Sequence, residues 1–254
     1  MSRNVIVVPC FNEESRFNES YFTKLVSIKN TFWVFVDDGS TDTTTKKIMN
    51  FSKKKNVSCL LLKANVGKAN AIAQGINYAF NEIEHIGWFG FLDCDGAFNF
   101  IDIENIINLA NTSIIYDAIY SSRIKMSGRN IRRNKARHIL GRMITSFFGL
   151  VWPDIPYDTQ SGFKLYKYSD MFESIFIEPF KTKWFFDIEL FIRHLKVQNR
   201  PMNVWEEPVN SWIDILGSKI NYRHIVAIFF EIVYIFSLLA NQSRNLKSTN
   251  KIDI

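Results

Sequence analysis

Gly87-Trp88-Phe89-Gly90-Phe91-Leu92-Asp93-Cys94-Asp95-Gly96 is an apolar run that stops on two carboxylates one residue apart. The run reads as a buried strand over residues 87 to 93, and the abrupt change to acids and glycine marks its carboxyl end. Alternate side chains of an extended chain share a face. Asp93 and Asp95 can therefore converge on one hard cation, while Cys94 points the other way into packing. A solvated turn can also carry two acids, so the flanking sequence decides.

On either side, short apolar runs alternate with longer helical patterns. Strands are expected at 4 to 9, 32 to 37, 57 to 63 and 117 to 122, and helices at about 20 to 29, 41 to 54, 67 to 84 and 101 to 112. This alternation predicts an α/β chain with a mostly parallel sheet and helices on both faces. Ligands of such sheets bind beyond the carboxyl ends of the strands. The polar clusters fall there: Asn12-Glu13, Asp37-Asp38-Gly39-Ser40, Asn65 to Lys68, Asp93 to Asp95, and Arg123.

Each cluster has a chemistry. Asp37 or Asp38 can accept hydrogen bonds from a nucleobase or ribose, and Gly39 permits a tight turn before a helix capped by Ser40, Thr41 or Asp42. Gly67 and Lys68 open a helix, where backbone N–H groups and an ammonium suit an anion. The spacing is not that of a P-loop. Arg123 is placed to grip phosphate oxygens in a bidentate way. Asp158, before a Gln160-Ser161-Gly162 turn, either faces a substrate or caps the turn, and Gly162 allows a close backbone approach.

The chain has 254 residues, 47% of them hydrophobic, which suffices for one large domain with a C-terminal appendage. Its net charge of +6 is concentrated at Lys53 to Lys55, read as a solvated turn, and at Arg123 to Arg142. Such clustering suits a phosphate or lipid-headgroup surface, and no nucleic-acid-binding module accompanies it. Cys10, Cys59 and Cys94 read as reduced core residues. The amino terminus enters a strand directly, so no secretory signal is expected. Ile225 to Ala240 is apolar but short and interrupted by Glu231, which argues against a membrane span. It reads as an interfacial helix or a partner-docking helix, including docking to a second copy, or as a helix folded back on its own core.

Together these segments resemble family 2 glycosyltransferases of the GT-A, Rossmann-like fold. VIVVPCFNEE resembles the family's first nucleotide-binding strand and loop, VFVDDGSTD its base-binding turn, and FLDCDGAF its DxD metal segment. YDTQSGFKLY, WFFDIEL and PVNSWIDILGSKI are similar, in order, to segments of polyprenyl-phosphate glycosyltransferases such as the dolichyl-phosphate β-glucosyltransferases and their bacterial relatives. The likeness covers about residues 4 to 222. It implies a GT-A domain over 1–221 and a C-terminal amphipathic helix and polar tail over 222–254.

The resemblance also implies roles. Pro9, Phe11, Asn12, Glu13, Asp37, Asp38, Gly67, Lys68 and Lys219 would serve the nucleotide sugar, and Asp93 and Asp95 would hold Mg²⁺ or Mn²⁺. Arg123, Arg132, Arg133, Gln160, Trp184 and Ser218 would meet the acceptor. Asp158, Asp187 and Arg123 would join the acidic pair in catalysis, with Arg129, Arg132 and Arg133 on a mobile loop. Ala97 stands where the mannosyl branch tends to carry Gln, which favours a glucosyl type and leaves one metal ligand open. Phe11 replaces a frequent Tyr. The expected reaction is inverting transfer of a hexose, glucose first, from a UDP-sugar to a polyprenyl phosphate at the cytoplasmic membrane face. Two alternatives stand beside it: transfer to a glycan hydroxyl, which needs a carboxylate base, and a non-catalytic nucleotide-sugar-binding subunit.

Overall fold

The computed structural model describes residues 2–133, 155–213 and 227–239, with positions 142, 146, 148 and 149 between them. Its elements run β1 (Arg3–Cys10), α1 (Glu19–Leu25), β2 (Thr31–Asp37), α2 (Thr44–Phe51), β3 (Val57–Leu61), α3 (Lys68–Glu82), β4 (Ile86–Leu92), α4 (Phe100–Thr112) and β5 (Ala118–Ser122). There follow β6 (Asn130–Arg132), β7 (Phe163–Lys167), α5 (Phe186–Gln198), β8 (Val204–Pro208) and β9 (Ser211–Ile213). A final helix, α6, covers residues 227–239.

Seven strands form one sheet in the order β3-β2-β1-β4-β7-β5-β8. All neighbours are parallel except β7, which runs antiparallel to β4 and to β5. That reversal positions the site. The amino-terminal end of β7, with Asp158 to Gly162 before it, comes to the sheet edge where β1, β2, β4 and β5 deliver their carboxyl ends.

The strands are apolar on both faces because both are covered. On one face Ile6, Val8, Trp33 and Phe35 pack with Phe22 of α1, Ile48 and Phe51 of α2, and Ile103 and Ile107 of α4. On the other, Val5, Val7, Val34, Val36, Phe89 and Phe91 meet the small residues Ala69, Ala73 and Ala79 of α3 and Phe186 and Leu190 of α5. Small side chains let α3 lie close against the sheet.

Cys10 and Cys94 are buried and reduced, with Cys59 half-buried. The expected mobile loop is different. Asn130–Arg132 is extended and pairs in parallel with β9 as a small second sheet, because Asn130 N–H donates to Asn210 O at 2.8 Å and Ile131 is buried in the core.

Helix α6 folds back on the chain through one face. Ile228, Ile232, Ile235 and Leu239 lie a turn apart and pack with Phe148, Phe185, Ile188 and Ile192. Phe229, Phe230 and Val233 on the rest of its surface are 62%, 65% and 51% exposed, so the helix keeps a second, uncovered apolar face. Among the described residues no helix is long and apolar enough to cross a membrane.

Candidate active site

The loops after β1, β2 and β3 clasp one another at the carboxyl edge of the sheet. Asn12 takes a left-handed backbone with φ of 52°, its Oδ1 accepts from Thr41 N–H at 2.9 Å, and its own N–H donates to Ser40 Oγ at 3.0 Å. Gly39, with φ of +70°, permits the turn, and a Cβ there would sit 2.7 Å from the Ala64 carbonyl carbon. Asp37 accepts from Ser40 N–H at 3.1 Å and from the Thr45 hydroxyl. Asp38 accepts from Val66 N–H at 2.7 Å and Gly67 N–H at 3.0 Å, and burial raises its pKa. Both acids therefore tie the loop after β2 to its neighbours, besides standing at the edge where a base or ribose would lie. Pro9 is half-buried at the end of β1, and Phe11 is 42% exposed, open for stacking.

The acidic pair follows β4. The strand stops at Leu92 and the chain turns at Cys94 and Asp95, with Gly96 at φ of +72° after them, where an extended chain was expected. Cys94 is buried in the core as expected, beside Cys10, Sγ to Sγ 3.1 Å, and the charge of Asp93 is felt by Asp95. Burial, then the charge of Asp93, raises the Asp95 pKa. Burial also raises that of Glu13 against the opposing charge of Arg16, whose Nη2 donates to Oε1 at 2.6 Å, with Asp95 and Asp93 adding to the rise, and among the described residues Oε2 has no donor.

Asp93 Oδ1 meets Lys68 Nζ at 2.5 Å and, among the described residues, nothing else. Asp93 N–H donates to Gly162 O at 2.8 Å. Desolvation opposes charge on Lys68, yet Asp93, with Asp187 and Asp95 behind it, holds its pKa above the ordinary value.

Among the described residues no three His, Cys, Asp or Glu side chains form a ready ligand set. Two hard carboxylates, one with a buried oxygen served only by a displaceable ammonium, fit a divalent cation that takes its remaining ligands from a diphosphate and water.

Before β7, Asp158 is not an open carboxylate. Arg123 grips it through Nε to Oδ2 at 2.8 Å and Nη2 to Oδ1 at 2.7 Å, while Arg123 N–H adds a bond of 2.9 Å to Oδ2. Arg133 Nη1 lies 3.6 Å from Oδ2. Although burial opposes it, Arg123 holds the Asp158 pKa down at about 2. The turn is fixed from below by Glu206, which accepts from Tyr157 N–H at 2.6 Å and Asp158 N–H at 2.8 Å. Arg123 also donates to Gln160 O at 2.9 Å and covers the Trp212 ring at 4.9 Å. Gln160 and Arg132 are exposed.

Asp187 is paired as well. At the start of α5 its Oδ1 meets Lys164 Nζ at 2.5 Å, inside a cage of Phe91, Tyr120 and Phe186. Burial lowers the Lys164 pKa and raises that of Asp187.

Trp184 packs in the seam beneath α6, where its N–H donates to Glu231 Oε2 at 2.9 Å. Ser218 and Lys219 lie outside the described residues.

Sequence reading missed three residues here. Lys164 interrupts the apolar strand FKLY, and a charge in such a run was a usable signal. Tyr21 had none: among the described residues its buried hydroxyl has no hydrogen-bond partner, its ring would lie 3.9 Å from a Cβ on Gly96, and burial with Asp95 raises its pKa. Glu231 was seen only as a break in an apolar helix. Its carboxylate accepts from Lys183, Trp184 and Phe185 N–H at 3.0, 2.9 and 3.2 Å, holding the segment that leads into α5.

A doubly wound sheet that gathers an acidic pair, a helix-opening lysine and a clamped arginine at its carboxyl edge has the build of a GT-A glycosyltransferase. The chain belongs to glycosyl transferase family 2, whose model matches residues 5–180. It is 29% identical over 241 residues to the dolichyl-phosphate beta-glucosyltransferase of Saccharomyces cerevisiae, covering 80% of this chain and 66% of the yeast protein. The protein of the same name from Dictyostelium discoideum is 28% identical over 248 residues, covering 89% and 73%. Among solved structures, glucosyl-3-phosphoglycerate synthase from Mycobacterium tuberculosis, in complex with Mn²⁺, UDP and glucosyl-3-phosphoglycerate, superposes with a TM-score of 0.64 at 12% identity, over 92% of this chain and 78% of that one. That likeness establishes the fold.

Proposed function

We propose that this enzyme transfers glucose from UDP-glucose to a polyprenyl phosphate, inverting the anomeric centre in one displacement. The observation that carries the acceptor class is the state of the two candidate bases. Asp158 is locked to Arg123 and Asp187 to Lys164, so neither is free to take a proton from a sugar hydroxyl. A phosphate monoester needs no such help, because its second pKa near 6 leaves it largely dianionic at neutral pH. The names of the yeast and Dictyostelium relatives support the same donor and acceptor.

In this reading Phe11, Asn12, Glu13 and the loops held by Asp37 and Asp38 receive the nucleoside, with Pro9 setting the end of β1. Asp93 and Asp95 would hold Mg²⁺ or Mn²⁺, as the neighbouring Mycobacterium structure carries Mn²⁺ with UDP. Such an ion supplies charge stabilisation to the departing diphosphate. Gly67 and Lys68 lie beside that phosphate, at the start of α3. Arg123, whose fork is committed to Asp158 and Gln160 O, fixes the turn before β7, and the exposed Arg132 and Gln160, with Arg133 beside them, would meet the acceptor phosphate there. Lys219 and Ser218 would close the diphosphate side, and Trp184 would flank the lipid.

The chain divides functionally into a catalytic domain over 1–221 and a docking segment over 222–254. The exposed Phe229, Phe230 and Val233 suit contact with the cytoplasmic membrane surface, where a long-chain lipid phosphate presents its head.

Incubation with polyprenyl phosphate and a panel of sugar nucleotides, with and without Mn²⁺, followed by mass spectrometry of the lipid fraction, tests the reading. A metal-stimulated hexosyl phospholipid formed from UDP-glucose is expected. Transfer only to a glycan hydroxyl, or UDP-glucose binding without any product, would overturn it.

A further inference from the structure

We infer that Lys68 is a resident counter-cation of the acidic site, exchanging Asp93 for the donor diphosphate so that divalent cation and nucleoside diphosphate bind cooperatively. The inference rests on the proposed metal role of Asp93 and Asp95 and goes beyond it by assigning an order and a coupling.

Four observations support the exchange. Lys68 Nζ is 2.5 Å from Asp93 Oδ1, an oxygen with no other partner among the described residues. Asp187 and Asp95 stand behind Asp93 and also favour a cation at Lys68, Asp187 sharing its charge with Lys164. The second lysine of the cluster cannot serve: Lys164 is fully buried and already committed to Asp187. Lys68 can move, since its side chain is 47% exposed and hangs from the first residue of α3 on a flexible stem.

An ammonium and a divalent cation cannot share one carboxylate oxygen without strong repulsion. A cation entering alone therefore has to displace Lys68 and leave it without an anion. A cation entering with a diphosphate gives Lys68 a new partner at the opening of α3, where backbone N–H groups also favour an anion. Each ligand thus raises the affinity for the other by the same factor, as linkage demands.

The test is Mn²⁺ binding followed by electron paramagnetic resonance of the free ion, in the presence and absence of saturating UDP, for the wild-type chain, Lys68→Met, Lys68→Arg and Asp93→Asn. In the wild type UDP should tighten Mn²⁺ binding about tenfold or more. Lys68→Met should bind Mn²⁺ alone about fivefold or more tighter than wild type and lose most of the enhancement by UDP. Lys68→Arg, which keeps the charge, should retain weak metal-only binding, and thermal melting identifies any variant that is simply unfolded. Unchanged or weaker metal-only binding in folded Lys68→Met would overturn the exchange. If Asp93→Asn still bound Mn²⁺ like wild type in the presence of UDP, the metal assignment itself would fall, a separate outcome that also removes the inference.

Discussion

The carboxylate of Asp93 fills the space where a side chain on Gly162 would begin: a Cβ built there lies 2.6 Å from Asp93 Cγ and 3.1 Å from its Cβ, in contact with Oδ2 as well. The residue before the antiparallel strand β7 thereby sets Asp93 from the neighbouring strand, with Gly162 O also accepting from Asp93 N–H. Gly162→Ala should push the carboxylate away, costing about 1–3 kcal/mol of stability by overpacking. Glucosyl transfer should fall on the order of a hundredfold, since small misplacements at a reacting centre have effects of that size. Steady-state assays and thermal melts check both, and a fully active Gly162→Ala enzyme would contradict the coupling.

The Arg123–Asp158 clamp should show in the pH dependence of stability. The Asp158 pKa is depressed to about 2 in the fold, below its unfolded value near 4. Its contribution is therefore fully present above about pH 4 and is lost as pH falls towards 2, amounting to about 2–3 kcal/mol. Urea titrations of wild type and Asp158→Asn should differ by about that much at pH 6, by about half at pH 3, and converge only as pH falls through about 2.

Lys164 and Asp187 form a buried pair whose halves depend on each other. Lys164→Met should cost about 3–5 kcal/mol by leaving a carboxylate unpaired, and adding Asp187→Asn should recover part of the loss. A double-mutant cycle of unfolding free energies measures the coupling. Additive losses would show that the two do not act as a unit.

Glu231 ties the last helix to the segment before α5 by accepting from three of its amides. Glu231→Gln should lower stability by about 1–2 kcal/mol, as weakening hydrogen bonds to a charged acceptor does, and increase hydrogen exchange at Lys183 to Phe185. Exchange unchanged at those amides would show that the carboxylate is not what holds them.

The first half of the fold was legible because each strand is a short apolar run closed by turn residues, and each helix carries its own period. Ile6 and Val8 face one helical layer while Val5 and Val7 face the other, so no partner had to be known to see a strand covered on both sides. The site residues before Arg123 followed from their places at strand ends.

The second half was harder for physical reasons. Pairing Phe91 with Lys164 joins segments far apart in sequence, and nothing in either segment announces a strand reversed between β4 and β5. Asp158 read as facing a substrate or capping the turn, and its grip on Arg123 was not visible because sequence does not show that Arg123 folds onto it. Asn130–Arg132 read as loop because its strand partner, β9, lies near residue 211. Glu231 looked like a flaw in an apolar helix because its three partners are backbone groups, which carry no sequence signature.

The role of Asp93 and Asp95 is tested most directly by anomalous diffraction from crystals soaked with Mn²⁺ and UDP. A manganese peak touching these carboxylates and the UDP diphosphate is expected, and it should vanish in Asp93→Asn crystals. A peak and nucleotide bound elsewhere, with the acidic pair untouched, would contradict the proposed catalytic centre.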